Sequence, residues 1–559
     1  MNERTLHRFP GGLHPEQHKS ESNGTPIQVA SVAGTLVLPL KQHIGAAARP
    51  VVSVGERVLR NQPLAKADGF VSAPVHAPTS GTIAAIEARA VPHPSGLSAP
   101  CIVLEPDGQD EAMQAFEPWP DYSAIAPILL RERVRDAGIV GLGGAVFPSA
   151  VKMAGTPGTP IHTVVLNGAE CEPYITCDDR LMRERADEVL RGGQIIMHVV
   201  DARKCLVGVE DNKPEAIAAL REAAATLGDE RIEIVAIPTV YPSGAEKQLI
   251  HVLTGEKISR ETRATERGFL GHNVATAAAV YRAVVHGEPL TRRIVTLTGS
   301  GMRSAGNWEV PLGMLASELI AQAGGYAPDV ARLVLGGPMM GFAMDSDEVP
   351  VTKAANCLLA LAAPDAPVDP LPLPCIRCGR CAEGCPVELQ PQQLLWDARA
   401  GDFERASMQD SLFECIECGV CSAVCPSHIP LVQYFRYAKT EIWQREREKD
   451  KAAHAKDRFE SRNARIEREK REREEMLASR RAQLAAQKTE GETASAGADE
   501  KQKAIQDALE RARARKAAQQ ASADAVQPDS TSGSSTARAS RREPDHVANA
   551  AGDAADKQD

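Results

Sequence analysis

Two cysteine runs constrain this chain more than any other feature of its sequence. CIRCGRCAEGCP begins at Cys375 and CIECGVCSAVCP begins at Cys415, and both have the spacing Cys-x2-Cys-x2-Cys-x3-Cys-Pro. With this spacing, three thiolates of one run bind one cubane iron–sulfur cluster, and the fourth thiolate binds a second cluster. The two runs therefore predict two [4Fe–4S] clusters.

The same crossed ligation assigns every cysteine of the two runs to a cluster. The first predicted ligand set is Cys375, Cys378, Cys381 and Cys425, and the second is Cys415, Cys418, Cys421 and Cys385. A structural zinc site is the simpler alternative. Tetrahedral zinc, however, is usually bound by pairs of cysteines with Cys-x2–4-Cys spacing, and it does not require a third cysteine at the same short spacing. Apolar residues between the runs, such as Leu394 and Leu395, have helical spacing, so we expect a mostly helical ferredoxin module.

Length, charge and the remaining cysteines exclude several classes of protein. A chain of 559 residues holds several domains by the rough prior of about 150 residues each. The five cysteines outside the runs show no paired pattern, which argues against a secreted disulfide framework. The net charge of −10 argues against a duplex nucleic-acid binder. No stretch approaches the roughly 18 apolar residues that cross a bilayer, so we expect a soluble or peripheral protein.

A small all-β unit is predicted near the N-terminus. VSVGERVLRNQPLAKADGFVSAPVHAPTSGTIAAIE, which begins at Val52, places Gly, Pro and Asn turn signals between short β-branched runs. The segment resembles the barrel-sandwich hybrid fold of biotinyl and lipoyl domains, with Ala77, Pro78 and Gly81 in their Ala-Pro-x-x-Gly stretch. Phe70 stands where the biotinyl lysine would be. The resemblance therefore implies a docking scaffold and not a swinging carrier arm.

A glycine cluster in the middle of the chain predicts a phosphate cradle. In DAGIVGLGGAVFPSAVKMAG, Gly141, Gly143 and Gly144 come before a helix-start signal at Pro148, and backbone N–H groups at such a start bind anions. Lys152 would add a positive charge for the phosphate. The cluster is not the dinucleotide-binding fingerprint of Rossmann folds, which needs glycine where Val146 stands. A tight turn without a ligand is the structural alternative.

Polar residues follow two predicted strands further along the chain. The apolar run from Ile161 to Leu166 ends in Asn167, Glu170 and Glu172, and AIPTVYPSGAEKQL ends in a turn followed by a helix that contains Glu246. Ligands bind at the carboxyl ends of strands in α/β sheets. The repeated strand–turn–helix units predict an α/β sandwich, although exposed glutamates are more often simply solvated.

Four segments in this order resemble the flavoprotein subunit of respiratory complex I: GLGGAVFPSAVK, NGAECEP, YPSGAEKQL and GHNVAT. The resemblance implies an FMN site lined by Gly141, Gly143, Gly144, Lys152, Asn167 and Asn273, with Thr276 beside it. It also implies that Glu170, Glu172, Tyr241, Gly244 and Glu246 shape the flavin and nicotinamide pocket. This chain has Leu142, Ala169, Ala245 and His272 where that subunit has Arg, Asp, Glu and Asn.

The whole order of segments is similar to the RnfC family, a component of the Rnf (Rsx) complex, from FPGGLHPEQHK at Phe9 to the second cysteine run. The resemblance implies a multidomain α/β and α+β fold. Its expected parts are an N-terminal segment (1–25), a barrel-sandwich hybrid (26–108), a Rossmann-like FMN/NADH domain (109–290), a soluble-ligand-binding β-grasp domain (291–362), a two-cluster ferredoxin-like domain (363–440) and a charged helical, then disordered tail (441–559).

The RnfC family implies a function that agrees with electron counting. Its members are a peripheral part of an ion-translocating oxidoreductase on the cytoplasmic face of a bacterial inner membrane, with membrane subunits, NAD(H) and ferredoxin or flavodoxin as partners. NADH gives two electrons as hydride and each cluster accepts one, so FMN is expected between them. Two alternatives stay open. One is a passive iron–sulfur adaptor without its own flavin or NADH site, and the other is a scaffold whose clusters are only structural.

Overall fold

The computed structural model describes residues 5–32, 34–259, 262–366, 371–409, 411–492 and 498–523. Residues up to Lys449 form one compact unit, and the tail from Asp450 forms a second. The strands in these ranges are β1 (Gln28–Val29), β2 (Leu36–Pro39), β3 (Arg49–Pro50), β4 (Arg57–Val58), β5 (Pro63–Lys66), β6 (Val75–His76), β7 (Gly81–Ala90), β8 (Ser98–Pro106), β9 (Thr163–Gly168), β10 (Lys204–Glu210), β11 (Ile232–Ile237), β12 (Phe269–Asn273), β13 (Arg292–Thr298), β14 (Gly306–Pro311), β15 (Val330–Leu335), β16 (Phe342–Met344) and β17 (Cys357–Ala362). The helices are α1 (Pro127–Asp136), α2 (Ser149–Met153), α3 (Cys177–Glu184), α4 (Ala186–Val200), α5 (Pro214–Leu227), α6 (Glu246–Thr254), α7 (Val274–Tyr281), α8 (Ala316–Gln322), α9 (Arg380–Glu383), α10 (Pro391–Ala400), α11 (Phe403–Met408), α12 (Val420–Ala423), α13 (Leu431–Glu492) and α14 (Ala498–Ala523).

Two small sheets form the predicted N-terminal sandwich. The first has the order β2-β8-β7-β4 with antiparallel pairs, and the second has the order β3-β5-β6. Leu36, Leu64 and Ile83 are fully buried between them, because alternate side chains of each strand face the core. Gly81 permits the close pairing of β7 and β8, since a Cβ atom there would lie 2.1 Å from the Glu105 carbonyl oxygen.

A parallel four-stranded sheet, in the order β11-β10-β9-β12, organises the middle of the chain. Its strands are nearly continuous apolar runs, as expected for a parallel sheet that is covered on both faces. Helices α4 and α7 approach each other closely at Gly192, where a Cβ atom would lie 1.9 Å from the Ala277 carbonyl oxygen. Because β9 and β12 are parallel neighbours, the loops after Gly168 and Asn273 emerge at the same edge.

A mixed six-stranded sheet, in the order β1-β14-β13-β17-β15-β16, follows the parallel sheet. Its edge strand β1 comes from the beginning of the chain and pairs in parallel with β14, with Gln28 opposite Trp308. This strand falls inside the range 26–108 that the sequence assigns to the sandwich. Local sequence patterns carry no information on such a long-range edge pairing. The predicted domain boundaries therefore stay predictions.

Short helices surround the cysteine runs, so the expectation of a mostly helical module is confirmed. Helices α9 and α12 begin in the same way, each after a glycine with positive φ (79° at Gly379 and 82° at Gly419). Leu394, Leu395 and Phe435 lie in the buried core of this module.

The tail from Asp450 is helical and its described side chains are exposed, as the mixed charges predict. The segments from 530 onward that are predicted to be disordered lie outside the described residues. No helix in the described part of the chain combines the length and apolar character that a bilayer crossing requires.

Candidate functional site

The predicted cofactor residues come together around one pocket at the carboxyl edge of the parallel sheet. A cavity of about 520 Å³ adjoins one of about 210 Å³, and the two share Gly143, Asn167 and Gly244. Their combined lining includes Gly141, Gly143, Gly144, Lys152, Asn167, Glu170, Glu172, Tyr241, Gly244, Glu246 and Asn273. The larger cavity alone falls in the range of about 300–1,000 Å³ that is typical of small-molecule sites.

Thr276 is the one predicted residue that does not line either cavity. It is fully buried in α7, and its hydroxyl accepts a hydrogen bond from the Leu142 N–H at 2.8 Å. Thr276 therefore supports the glycine loop from behind.

The glycine loop offers unpaired backbone donors to the pocket. Among the described residues, no acceptor takes the N–H groups of Gly143, Gly144 or Ala145. Gly144 has φ +117°, and Val146 has φ 44°, an unfavourable left-handed conformation for a β-branched residue. The Ser149 N–H, at the predicted helix start, instead donates to the Ile139 carbonyl at 3.1 Å. The donors that fit a phosphate are therefore those of the loop.

Lys152 and Glu246 neutralise each other at the side of the pocket. The Lys152 Nζ lies 2.9 Å from Glu246 Oε1 and donates to the Gly271 carbonyl at 2.6 Å. The same Glu246 oxygen accepts from the Gly271 N–H at 3.2 Å. The sequence predicts Lys152 as a cation for phosphate, but here its charge is already balanced by a carboxylate.

Glu170 and Glu172 use their carboxylates to fix the walls of the pocket. Glu170 accepts from the N–H groups of Asp178 and Asp179, in the first turn of α3, at 2.7 and 3.1 Å. Glu172 accepts from the N–H groups of Met339 and Met340 at 2.7 and 3.0 Å. Burial raises the pKa of Glu170 to about 8, and it also raises the pKa of Glu172.

Asp178 is a pocket residue that the sequence analysis missed. Its Oδ2 accepts from Asn273 Nδ2 at 2.6 Å, while Asn273 Oδ1 caps α7 by accepting from the Ala275 N–H at 2.8 Å. Asn273 therefore organises the pocket wall. The signal for Asp178 was its place in TCDDR, at the start of a helix, where acidic residues are favoured.

The cysteines group into the two sets that the spacing predicts. Cys375, Cys378, Cys381 and Cys425 line one cavity of about 190 Å³. In the other set, burial raises the pKa of Cys418 to about 12, and the neighbouring thiols of Cys415 and Cys385 raise it further. Burial also raises the pKa values of Cys415 and Cys421, and thiols in such a position fit a site in which iron supplies the compensating positive charge.

The second cysteine set borders the large pocket. Ile416 and Cys418 contribute to its lining, together with the glycine loop and the two glutamates. Tyr241, which is only 1% exposed, donates its hydroxyl hydrogen to the Cys418 carbonyl at 2.6 Å. One predicted cluster site is thus a direct neighbour of the predicted flavin pocket.

Comparisons with known proteins agree with this arrangement. Family models match an RnfC barrel-sandwich hybrid domain at residues 7–109, a Nuo51 FMN-binding domain at 134–282, an SLBB domain at 294–343 and a 4Fe-4S dicluster domain at 374–430. The C component of the ion-translocating oxidoreductase complex of Haemophilus influenzae strain PittEE is 46% identical over 474 residues, which are 84% of this chain and 71% of that protein. The chain belongs to this RnfC family. The predicted family and fold class are therefore confirmed, and the FMN and 4Fe–4S domains agree with the predicted cofactors.

Other members of the RnfC family are longer than this chain. The Pseudomonas aeruginosa protein is 51% identical over 469 residues, so the match covers 84% of this chain but only 60% of that relative. A crystal structure of an NAD+-reducing [NiFe]-hydrogenase is also similar, with 18% identity and a TM-score of 0.41 over 58% of this chain and 63% of that chain.

Proposed function

We propose that this chain is the NAD(H)-facing subunit of a membrane-bound ion-translocating oxidoreductase. Electrons pass between NAD(H), FMN and two [4Fe–4S] clusters, and from there to or from other subunits. The observation that carries this proposal is the shared wall of the large pocket, because Cys418 and the glycine loop line the same cavity. When bound, FMN would supply the conversion between the electron pair of a hydride and single electrons.

The protein residues bind and orient in this scheme, and none acts as a nucleophile. The N–H groups of Gly143, Gly144 and Ala145 would neutralise a phosphate at the loop. Glu170 and Glu172 hold the opposite wall through the hydrogen bonds described above. The hydroxyl group of Tyr241 holds the backbone of the second cysteine set against the pocket.

The first cysteine set supports a route to a protein partner. Cys378 is exposed, and Ile376, which lines the same cavity, is 67% exposed. The Arg377 guanidinium lies 5.4 Å from the Trp396 ring centre beside the same cavity. An apolar rim with a cation suits a protein that exchanges single electrons with this cluster. We propose membrane subunits of the complex in this role, with ferredoxin or flavodoxin at the other end of the electron path and the chain peripheral on the cytoplasmic face.

The test is an anaerobic preparation of the full chain, analysed for iron, acid-labile sulfide and FMN, then mixed with NADH under spectroscopic observation. We expect two clusters and FMN, with bleaching on addition of NADH. Gly244→Val should abolish the NADH response because a Cβ atom there would lie 3.1 Å from Cys171 Sγ and extend into the cavity. Gly24→Val is the matched control, because open space surrounds Gly24.

A second candidate is the passive iron–sulfur adaptor. The Lys152–Glu246 ion pair favours it, because this pair removes the cation expected at the phosphate. Clusters that bleach with dithionite but not with NADH, in a preparation that does not take up added FMN, would support the adaptor and contradict the first proposal.

A further inference from the structure

The N-terminal segment between Gly11 and Lys19 reaches the pocket through a buried lysine. Lys19 is only 8% exposed, and its Nζ donates to the carbonyl oxygens of Glu170, Glu172 and Ile175, each at 2.7 Å. An ammonium group has three N–H donors, so all of them are used. The three carbonyls belong to the turn that presents Glu170 and Glu172 to the cavity.

This turn has an unusual backbone that needs external partners. Glu170 has φ 49° and Tyr174 has φ 70°, both in the left-handed region that non-glycine residues seldom adopt. A second buried lysine, Lys213, donates to the carbonyl of Ala169 at 2.7 Å. The two lysines together satisfy carbonyls along the whole turn, which would otherwise be costly to bury.

The N-terminal segment also holds the far end of the turn. The Tyr174 N–H donates to the Gln17 carbonyl at 2.9 Å. The rings of His18 and Tyr174 are stacked, with their centres 4.2 Å apart. Three consecutive residues of the segment, Gln17 to Lys19, therefore fix the turn between β9 and α3.

The same segment contacts the ferredoxin module. Leu13 and Tyr241 exchange two backbone hydrogen bonds of 2.8 Å, and the Gly12 N–H donates to the Gly384 carbonyl at 3.1 Å. A Cβ atom at Gly11 would lie 2.6 Å from the Gly384 carbonyl oxygen, so the two backbone segments are in close contact there. Gly384 immediately precedes the cluster cysteine Cys385. One continuous segment thus links the glutamate turn, Tyr241 and a cluster loop.

We propose that Lys19 is a positioning residue of the flavin pocket, which holds the Glu170–Glu172 turn in place and makes the N-terminal segment part of the site. The inference rests on the proposed function. Without Lys19, the carbonyls of Glu170, Glu172 and Ile175 lose their donor and the turn relaxes. The buried positive charge behind the pocket is lost as well, which disfavours the addition of electrons to a flavin bound there.

The experiment compares Lys19→Met, Lys19→Arg and Lys66→Met in the full chain, loaded with FMN under anaerobic conditions. Lys66 is an exposed lysine at the end of β5 and serves as the matched control. The readouts are the FMN dissociation constant from fluorescence and the midpoint potential of the bound flavin in a dithionite titration. For Lys19→Met we expect at least tenfold weaker FMN binding. We also expect a lower midpoint potential of the bound flavin, where each tenfold change in its two-electron reduction equilibrium corresponds to about 30 mV. Lys19→Arg should recover most of both, and Lys66→Met should match the wild type.

Two outcomes would overturn the inference. One is a Lys19→Met variant that matches Lys66→Met in both readouts. The other is weaker binding with an unchanged potential that Lys19→Arg does not restore, because this would indicate a merely structural role. If Lys19→Met does not fold, Lys19→Gln keeps two donors without the charge and is judged by the same readouts. A wild-type chain that binds no FMN would instead contradict the proposed function, so the two failures are distinguishable.

Discussion

Two adjacent glycines of α4 allow a direct test of how closely α4 packs against α7. At Gly192, a Cβ atom would lie 1.9 Å from the carbonyl oxygen of Ala277 in α7, which is backbone and cannot rotate away. At Gly193, the nearest atom is the Leu166 Cδ1 at 2.9 Å, which is the flexible end of a side chain. Both substitutions to alanine gain the same helix propensity, about 1 kcal/mol. The difference between them therefore isolates the packing.

The magnitude follows from the distances. Ordinary contact begins at 3.4 Å, so Gly192→Ala must move α7 away by about 1.5 Å. Overpacking of this kind costs about 1–3 kcal/mol, or more when backbone must shift. After the propensity gain, we expect Gly192→Ala to lose about 2 kcal/mol, which lowers the Tm of a domain of this size by roughly 4–8 °C. Gly193→Ala should melt at or slightly above the wild-type temperature.

The assay is thermal unfolding of both variants followed by circular dichroism, together with FMN binding. Because Asn273 caps α7 and lines the pocket, a shift of α7 in Gly192→Ala should also weaken FMN binding. Gly193→Ala should leave FMN binding unchanged. Equal melting temperatures of the two variants would refute the packing argument.

Three further predictions concern the clusters, their contact with the pocket and a buried charge. Cys425→Ser and Cys378→Ser should remove the same electron paramagnetic resonance signal, each with loss of about half the iron, because crossed ligation puts both cysteines on one cluster. If Cys425→Ser instead removes the signal that Cys418→Ser removes, crossed ligation is contradicted. Tyr241→Phe leaves the buried Cys418 carbonyl without its donor and should lower the free energy of unfolding by about 1–3 kcal/mol. Tyr122→Phe, at a partly exposed tyrosine, is the control and should change the stability little; equal urea midpoints of the two variants would contradict the prediction. Burial lowers the pKa of Lys353 from 10.5 to about 7, so between these values the folded chain binds fewer protons than the unfolded chain and stability rises with pH. Urea unfolding should show the wild type gaining about 2 kcal/mol over Lys353→Met between pH 7 and pH 9, and a constant difference would disprove this.

Local spacing explains why the cysteines were predictable from the sequence. The ligand sets follow from the steps within each run, and the structure gathers Cys375, Cys378, Cys381 and Cys425 around one cavity. The predicted pocket residues also follow short motifs, which fix residue types near each strand end. Such motifs do not indicate which residue each side chain contacts in the folded protein.

The remaining features depend on contacts between distant parts of the chain. Lys152 has the charge that suits a phosphate, but Glu246, from the third of the four motifs, lies beside it and balances that charge. Asn273 is at the pocket as predicted, yet its side chain is shared between Asp178 and the start of α7. Lys19 carries no local signal, since its three acceptors lie more than 150 residues later. Pairings of this kind become visible only in the folded chain.

The contacts of the N-terminal segment set an order of events during synthesis. Gly384, the partner of Gly12, is made roughly 370 residues after it, which takes on the order of 20–70 seconds at 5–20 residues per second. The glutamate turn and Tyr241 are translated within that interval. The contacts of Gln17 and Lys19 with the glutamate turn can therefore form before Gly384 is made, whereas the contact of Gly12 with the loop at Cys385 can form only afterwards.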